Sequence, residues 1–124
     1  MMYMDAPEGL LPMIEIFLEE YGFPRNLKGF YFLAKASELC LREPGRLWGG
    51  MGGICEEVAR NFTTGPSLAE RAIRNLSGHL IQGSAMYRLT EGRFDQRPTN
   101  TELICAVCDM FSRTNKTPAG SGYE

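Results

Sequence analysis

This 124-residue sequence has no long apolar run and no secretion signal, and it has a single histidine. No apolar run approaches the roughly 20 residues that a membrane-spanning helix needs, so no membrane partner is expected. The amino-terminal residues do not show the basic segment followed by an apolar segment that marks a signal peptide. We therefore expect a cytoplasmic protein.

Residues that could carry catalysis or hold a metal are also scarce. The chain has one histidine, His79, and four cysteines, of which Cys105 and Cys108 form a CxxC motif. That motif lies in a segment with helical periodicity, where free cysteines behave as small apolar side chains, and we interpret both as core positions. A zinc site would need two further ligands, and no serine or cysteine is paired with a histidine in a recognisable pattern. We expect no enzyme activity, no catalytic residue, no metal and no cofactor.

The charges are unevenly distributed along the chain. The net charge of −2 argues against strong non-specific binding to nucleic acid, because phosphates attract cationic surfaces. Residues 60–100 nevertheless contain six basic residues, all arginine, and three acidic ones, whereas residues 1–59 contain five basic and nine acidic residues. Arginine is the side chain best suited to bidentate contact with phosphate or guanine. The sequence is therefore compatible with a local basic surface on an acidic protein.

Residues 54–80 have the pattern of two helices joined by a tight turn. In the second helix, predicted at about 66–82, a helical wheel separates an apolar face from an outward face. The apolar face contains Ala69, Ala72, Ile73, Leu76 and Leu80. The outward face contains Ser67, Glu70, Arg71, Arg74, Asn75 and Gly78. Such a helix is typical of a recognition helix in the DNA major groove, although Glu70 and Arg74 would also be an ordinary i,i+4 pair on a solvated helix.

The segment before this helix supports a helix-turn-helix. Ile54, Val58 and Phe62 form an i, i+4, i+8 apolar stripe, and the small Ala59 permits two helices to cross closely. Thr63 stands at the turn position where many helix-turn-helix motifs have glycine. Residues 63–66 provide a helix stop, candidate N-caps and a proline suited to a first helical turn.

The rest of the chain predicts further helices and no strand. Apolar periodicity over residues 10–21 is followed by Gly-Phe-Pro and by a second helix with Asn26 as its N-cap. A last helix opens at residues 98–100, where Thr99 and Glu102 have the spacing of a capping box. We predict an all-α fold, with a single helical domain of five to six helices over residues 10–113. An N-terminal extension (1–9) would precede it and a disordered tail (114–124) would follow it.

Three motifs in this order resemble the DNA-binding effector domain of the sporulation response regulator called stage zero sporulation protein A. They are Gly-Phe-Pro at 22–24 with Leu-Lys-Gly-Phe at 27–30, Asn-Phe-Thr-Thr at 61–64 with Glu-Arg-Ala-Ile-Arg at 70–74, and Arg-Pro-Thr-Asn at 97–100. The likeness extends from about Leu10 to Arg113. It implies a six-helix domain whose helix-turn-helix binds promoter DNA, often as tandem copies on adjacent sites. A homodimer and contact with the transcription machinery are further expectations.

The resemblance implies that the recognition helix contacts double-stranded DNA through Ser67, Glu70, Arg71, Arg74 and Asn75. The arginines suit guanine or phosphate, Glu70 suits the amino group of cytosine, and Asn75 suits adenine. Glu70 has an alternative role as the acid of a capping box that begins at Ser67. Backbone phosphates are expected to be contacted by Arg88, Arg93 and Arg97.

The chain also departs from the resemblance. Leu68 stands where the family has an arginine, and Asn75 where it typically has histidine. The family's effector domain normally follows a phosphorylatable receiver domain, for which 124 residues leave no room. We therefore carry two hypotheses: a sequence-specific transcription regulator lacking a receiver domain, and a degenerate helix-turn-helix that acts as a protein–protein interaction module. In the second, Leu68 and His79 would extend an apolar patch around Ala72.

Overall fold

The computed structural model of the chain describes residues 7–45, 51–80 and 98–114, which form five α-helices. These are α1 (Pro7–Glu20), α2 (Lys28–Arg42), α3 (Met51–Asn61), α4 (Pro66–Leu80) and α5 (Asn100–Thr114). No strand occurs in these ranges, and the prediction of an all-α fold is confirmed. Within the same ranges, no helix has the length and apolar character needed to cross a membrane.

Helix α2 lies at the centre of the described fold and contacts each of the other four helices. Ten of its residues are buried; most of them are apolar, among them Phe30 and Leu33, and two, Ser37 and Glu38, are polar. The apolar surface of α2 is therefore broader than a single stripe, as expected of a helix that is covered on several sides. Phe17 of α1 and Phe111 of α5 close one side of the core, with ring centroids 5.5 Å apart in edge-to-face geometry.

The crossing of α2 and α4 depends on Gly29. A Cβ atom at this position would overlap the backbone oxygen of Ala72 and would lie 2.8 Å from the Cβ of Leu76. The two helices therefore touch through their backbones, an approach that only glycine allows. Gly29 belongs to the Leu-Lys-Gly-Phe motif noted in the sequence, and its role is to set the position of α4.

The beginnings of α2 and α5 give one wrong and one confirmed capping prediction. Helix α2 has Leu27 as its N-cap and no side-chain cap, so the assignment of Asn26 is wrong. Leu27 packs against the core, and α2 begins at Lys28, one residue later than a polar cap at Asn26 would give. At α5 the capping box is present. The N–H of Thr99 donates to Glu102 Oε1 at 2.9 Å, and the N–H of Glu102 donates to Thr99 Oγ1 at 3.1 Å.

All four cysteines are free thiols, and they differ in exposure. Cys108 is half-buried between α5 and α2, where its Sγ donates to the backbone oxygen of Ser37 at 3.6 Å. Cys105 is exposed, so its interpretation as a core residue is wrong; it lies beside the packed stripe of α5 rather than in it. A hydrogen bond with Cys40, together with burial, raises the pKa of the Cys108 thiol, which disfavours the reactive thiolate. The described residues contain no group of three side chains able to hold a metal ion.

Candidate nucleic-acid interface

The turn between α3 and α4 has the longer of the two hydrogen bonds of a Schellman motif. The N–H of Thr64 donates to the backbone oxygen of Ala59 at 3.0 Å, closing the helix end. Thr63 adopts φ = 53°, the left-handed conformation that glycine adopts without strain and that a β-branched residue rarely takes. Ala59 in α3 and Ala69 in α4 are both buried. The turn is therefore the tight one predicted from the sequence, formed with threonine at its strained position.

Helix α4 begins differently from one of the alternatives given above. The N–H of Ala69 donates to the backbone oxygen of Gly65 at 3.1 Å, which makes Gly65 the N-cap and Pro66 the first helical residue. Ser67 already lies within the first turn, so a capping box from Ser67 to Glu70 is wrong. The carboxylate of Glu70 instead lies 3.4 Å from the guanidinium of Arg74, an exposed i,i+4 pair.

The two faces of α4 separate as the helical wheel predicted. Ala69, Ile73 and Leu76 are buried. The opposite face is accessible and presents all five predicted contact residues of this helix: Ser67, Glu70, Arg71, Arg74 and Asn75. The structure thus brings these five side chains to one surface, which is a condition for reading a groove together.

The accessible face divides into two strips. The Arg71 strip consists of Leu68, Arg71 and Asn75, at i, i+3 and i+7, and borders the start of α2, where these residues line a groove together with Lys28. The Arg74 strip consists of Ser67, Glu70 and Arg74. Arg74 is paired with Glu70, whereas Arg71 makes no ion pair with any residue that the structure describes. The Arg71 strip therefore offers a guanidinium that need not displace a carboxylate of any described residue.

The family model described as sporulation initiation factor Spo0A C terminal matches residues 14–111 of the chain. The chain belongs to this family. The match extends from within α1 to α5 and includes all of the helix-turn-helix. This match confirms the resemblance stated from the sequence motifs. The Spo0A C-terminal domain is a DNA-binding, transcription-regulating domain of sporulation, and it is not an enzyme family.

Two residues of this Spo0A-type domain position α4 and were not singled out for that role from the sequence. Gly29 permits the backbone contact with α2. Asn100 is buried at the start of α5, and its Nδ2 donates to the backbone oxygen of Glu70 at 2.9 Å. The Lys-Gly and Thr-Asn pairs were part of the recognised motifs, but nothing in their spacing indicates that both lie against the same helix.

Part of the predicted surface lies outside the described residues. The predicted phosphate contacts fall there: Arg88, Arg93 and Arg97. The same holds for the side chain of His79, which the interaction-module hypothesis places beside Ala72. Ala72 itself is half-buried and Leu68 is exposed.

Proposed function

We propose that this Spo0A-type domain is a sequence-specific transcription regulator that inserts α4 into the major groove of promoter DNA. The observation that carries the proposal is the accessible face of α4, which presents Arg71 beside Asn75. Arg71 has no ion-pair partner among the described residues. A helix that follows a tight turn and offers such side chains has the arrangement of a recognition helix. The rest of α4 is held by α2, α3 and α5, so the face is rigidly presented.

The side chains on this face suit different partners in the groove. Arg71 and Arg74 are proposed to bind guanine O6 and N7 or phosphate, and Asn75 to bind adenine. Glu70 can accept a hydrogen bond from cytosine N4 once Arg74 has turned to the DNA. Ser67 is the second residue of α4 and lies at the amino end of the helix, where base edges are reached. Arg88, Arg93 and Arg97 remain proposed phosphate contacts. Binding of tandem copies on adjacent sites is part of the same proposal.

A second candidate function is an interaction module for another protein. It is favoured by the exposure of two large apolar side chains near the turn, Phe62 at 38% and Leu68 at 46%. Both line a groove with Lys28, Tyr31 and Phe32 of α2. Under this hypothesis, the outer face of α4 would contact a protein surface and the chain would select no DNA sequence.

Selection of bound duplexes from a random DNA pool, with the full chain, separates the two functions. The first requires that one sequence is enriched, and that its affinity falls steeply as the salt concentration rises because counterions are released. In fluorescence anisotropy, Arg71→Ala should weaken binding of that sequence about 10- to 100-fold, the range for a lost base contact. No enrichment, or an unchanged affinity for the variant, would contradict the assigned surface.

Arg113→Ala is the matched control for this test. Arg113 is an exposed arginine in the last turn of α5, ion-paired with Asp109 at 2.7 Å. It lies about 20 Å along the helix axis from Asn100, the α5 residue bonded to α4, at 1.5 Å per residue. The variant removes one positive charge, as Arg71→Ala does, and should leave specific binding within about two-fold of the wild type, since a single distant charge is largely screened.

A further inference from the structure

We infer that Leu68 gives this protein a preference for thymine, by packing against the C5-methyl group of that base in the major groove. The inference rests on the proposed function, because Leu68 can meet a base only if α4 lies in the groove. It adds a specificity-determining residue to that function. It also gives a chemical consequence to the leucine that stands where the sequence resemblance expects an arginine.

The position of Leu68 is that of a base-contacting residue. It is the third residue of α4, and residues near the amino end of a recognition helix are the ones that reach base edges. It shares the Arg71 strip with Arg71 and Asn75, so a helix docked through those two side chains brings Leu68 to the same groove floor. Its side chain is 46% exposed and therefore free to be covered by a ligand.

Two other large apolar side chains are exposed in the described part of the chain, and neither is placed in this way. Phe62 is 38% exposed, but its ring rests on Phe32 with centroids 4.8 Å apart. Ile16 is 51% exposed and belongs to α1. Leu68 is thus the exposed apolar residue that sits among the proposed base contacts.

The chemistry of the base edges then selects thymine. In the major groove, guanine offers two acceptors, adenine an acceptor and a donor, cytosine a donor, and thymine an acceptor and a methyl group. A leucine placed against a polar edge removes water from it without replacing the hydrogen bond, which is unfavourable. Against the thymine methyl, the same leucine buries apolar surface on both partners. An arginine at this position would favour guanine instead.

The test replaces each thymine of the selected site, one at a time, by 2′-deoxyuridine, which lacks only the C5-methyl group. Wild-type full chain should lose about four-fold in affinity at one position of each binding site, the factor for one buried methyl group. Leu68→Ala should bind the unmodified duplex about as weakly as the wild type binds the duplex with deoxyuridine at the sensitive position. The affinity of this variant should not change when deoxyuridine replaces thymine at that position. Alanine is the best helix former, so the variant is expected to keep its helix content, checked by circular dichroism.

Two further variants define the result. Ile16→Ala also removes an exposed aliphatic side chain and should keep the full deoxyuridine effect. Leu68→Arg should change the preferred base at the sensitive position from thymine to guanine in a second selection. The inference is overturned if no deoxyuridine substitution weakens wild-type binding, or if Leu68→Ala stays equally sensitive. A selected site without this effect would leave the proposed function intact, whereas selection of no DNA would overturn both.

Discussion

On its inner side α4 lies against α2 with its backbone in contact at Gly29, whereas on its outer side Arg71 extends with no described ion-pair partner. The backbone oxygen of Glu70 in α4 also accepts a part-buried hydrogen bond from Asn100 of α5. Substitutions on the inner side should therefore change the free energy of unfolding, and those on the outer side should change DNA affinity at constant stability. A recognition helix needs both properties, because a helix that is loosely packed cannot hold its exposed side chains in the positions at which they bind bases.

The largest expected effect on the inner side is that of Gly29→Ala. The new Cβ would overlap the Ala72 oxygen, and a backbone atom cannot move aside as a flexible side chain can. We expect a loss of about 3 kcal/mol in the free energy of unfolding, the upper part of the range for overpacking. Urea unfolding followed by circular dichroism measures it.

Gly53→Ala is the matched control for that variant. Gly53 is the third residue of α3, and a Cβ there would meet no atom of the described residues within 4 Å. Since alanine is more favourable than glycine within a helix, this change should stabilise the protein by about 0.5–1 kcal/mol. Equal effects of the two substitutions would show that the α2–α4 backbone contact is not a constraint on stability.

On the outer side, the two arginines should differ in their effect on DNA binding. Arg74 must give up its ion pair with Glu70 to reach DNA, whereas Arg71 gives up no described pair. Because exposed ion pairs contribute only about 0–1 kcal/mol, Arg74→Ala should weaken binding up to about five-fold less than Arg71→Ala. Fluorescence anisotropy on the selected duplex measures both.

The difference between the arginines should depend on Glu70. Glu70→Gln removes the negative charge that competes with DNA for Arg74. In this background, Arg71→Ala and Arg74→Ala should lower the DNA affinity by more similar factors. Unfolding by urea should be unchanged within about 0.5 kcal/mol in all these variants, since each replaces a surface side chain. A larger loss for Arg74→Ala than for Arg71→Ala would reverse the assignment of the two strips.

Much of this organisation could be predicted from the sequence, because it depends on local patterns. The apolar period of α4 placed Arg71 outward, and the spacing of Thr99 and Glu102 gave the capping box at α5. The two residues that fix α4 from other helices could not be derived in this way. Gly29 precedes its contact Ala72 by more than forty positions, and Asn100 follows Glu70 by 30. Their roles come from tertiary packing, as does the displacement of the α2 N-cap from Asn26 to Leu27.

Asn100 and Asn61 provide a smaller test of the inner side. Each donates from Nδ2 to a backbone oxygen at 2.9 Å, but Asn100 is buried and bonds to Glu70 of another helix, whereas Asn61 is exposed and bonds to Glu57 within α3. Asn100→Ala should cost about 1–1.5 kcal/mol of unfolding free energy, and Asn61→Ala less than about 0.5 kcal/mol. Urea unfolding compares them directly. Similar losses would mean that the bond from α5 does not hold α4.

The smallest effect is expected at the turn, where Thr63 occupies the left-handed conformation. Thr63→Gly should stabilise the protein by about 1 kcal/mol. The left-handed backbone costs other residues about 1–2 kcal/mol, and the greater freedom of glycine in the unfolded chain takes back part of that gain. Thermal unfolding should show a higher midpoint. Thr64→Gly, at a position outside the left-handed region, should instead lower it. If Thr63→Gly is neutral or destabilising, the left-handed conformation of Thr63 does not strain the turn that leads into α4.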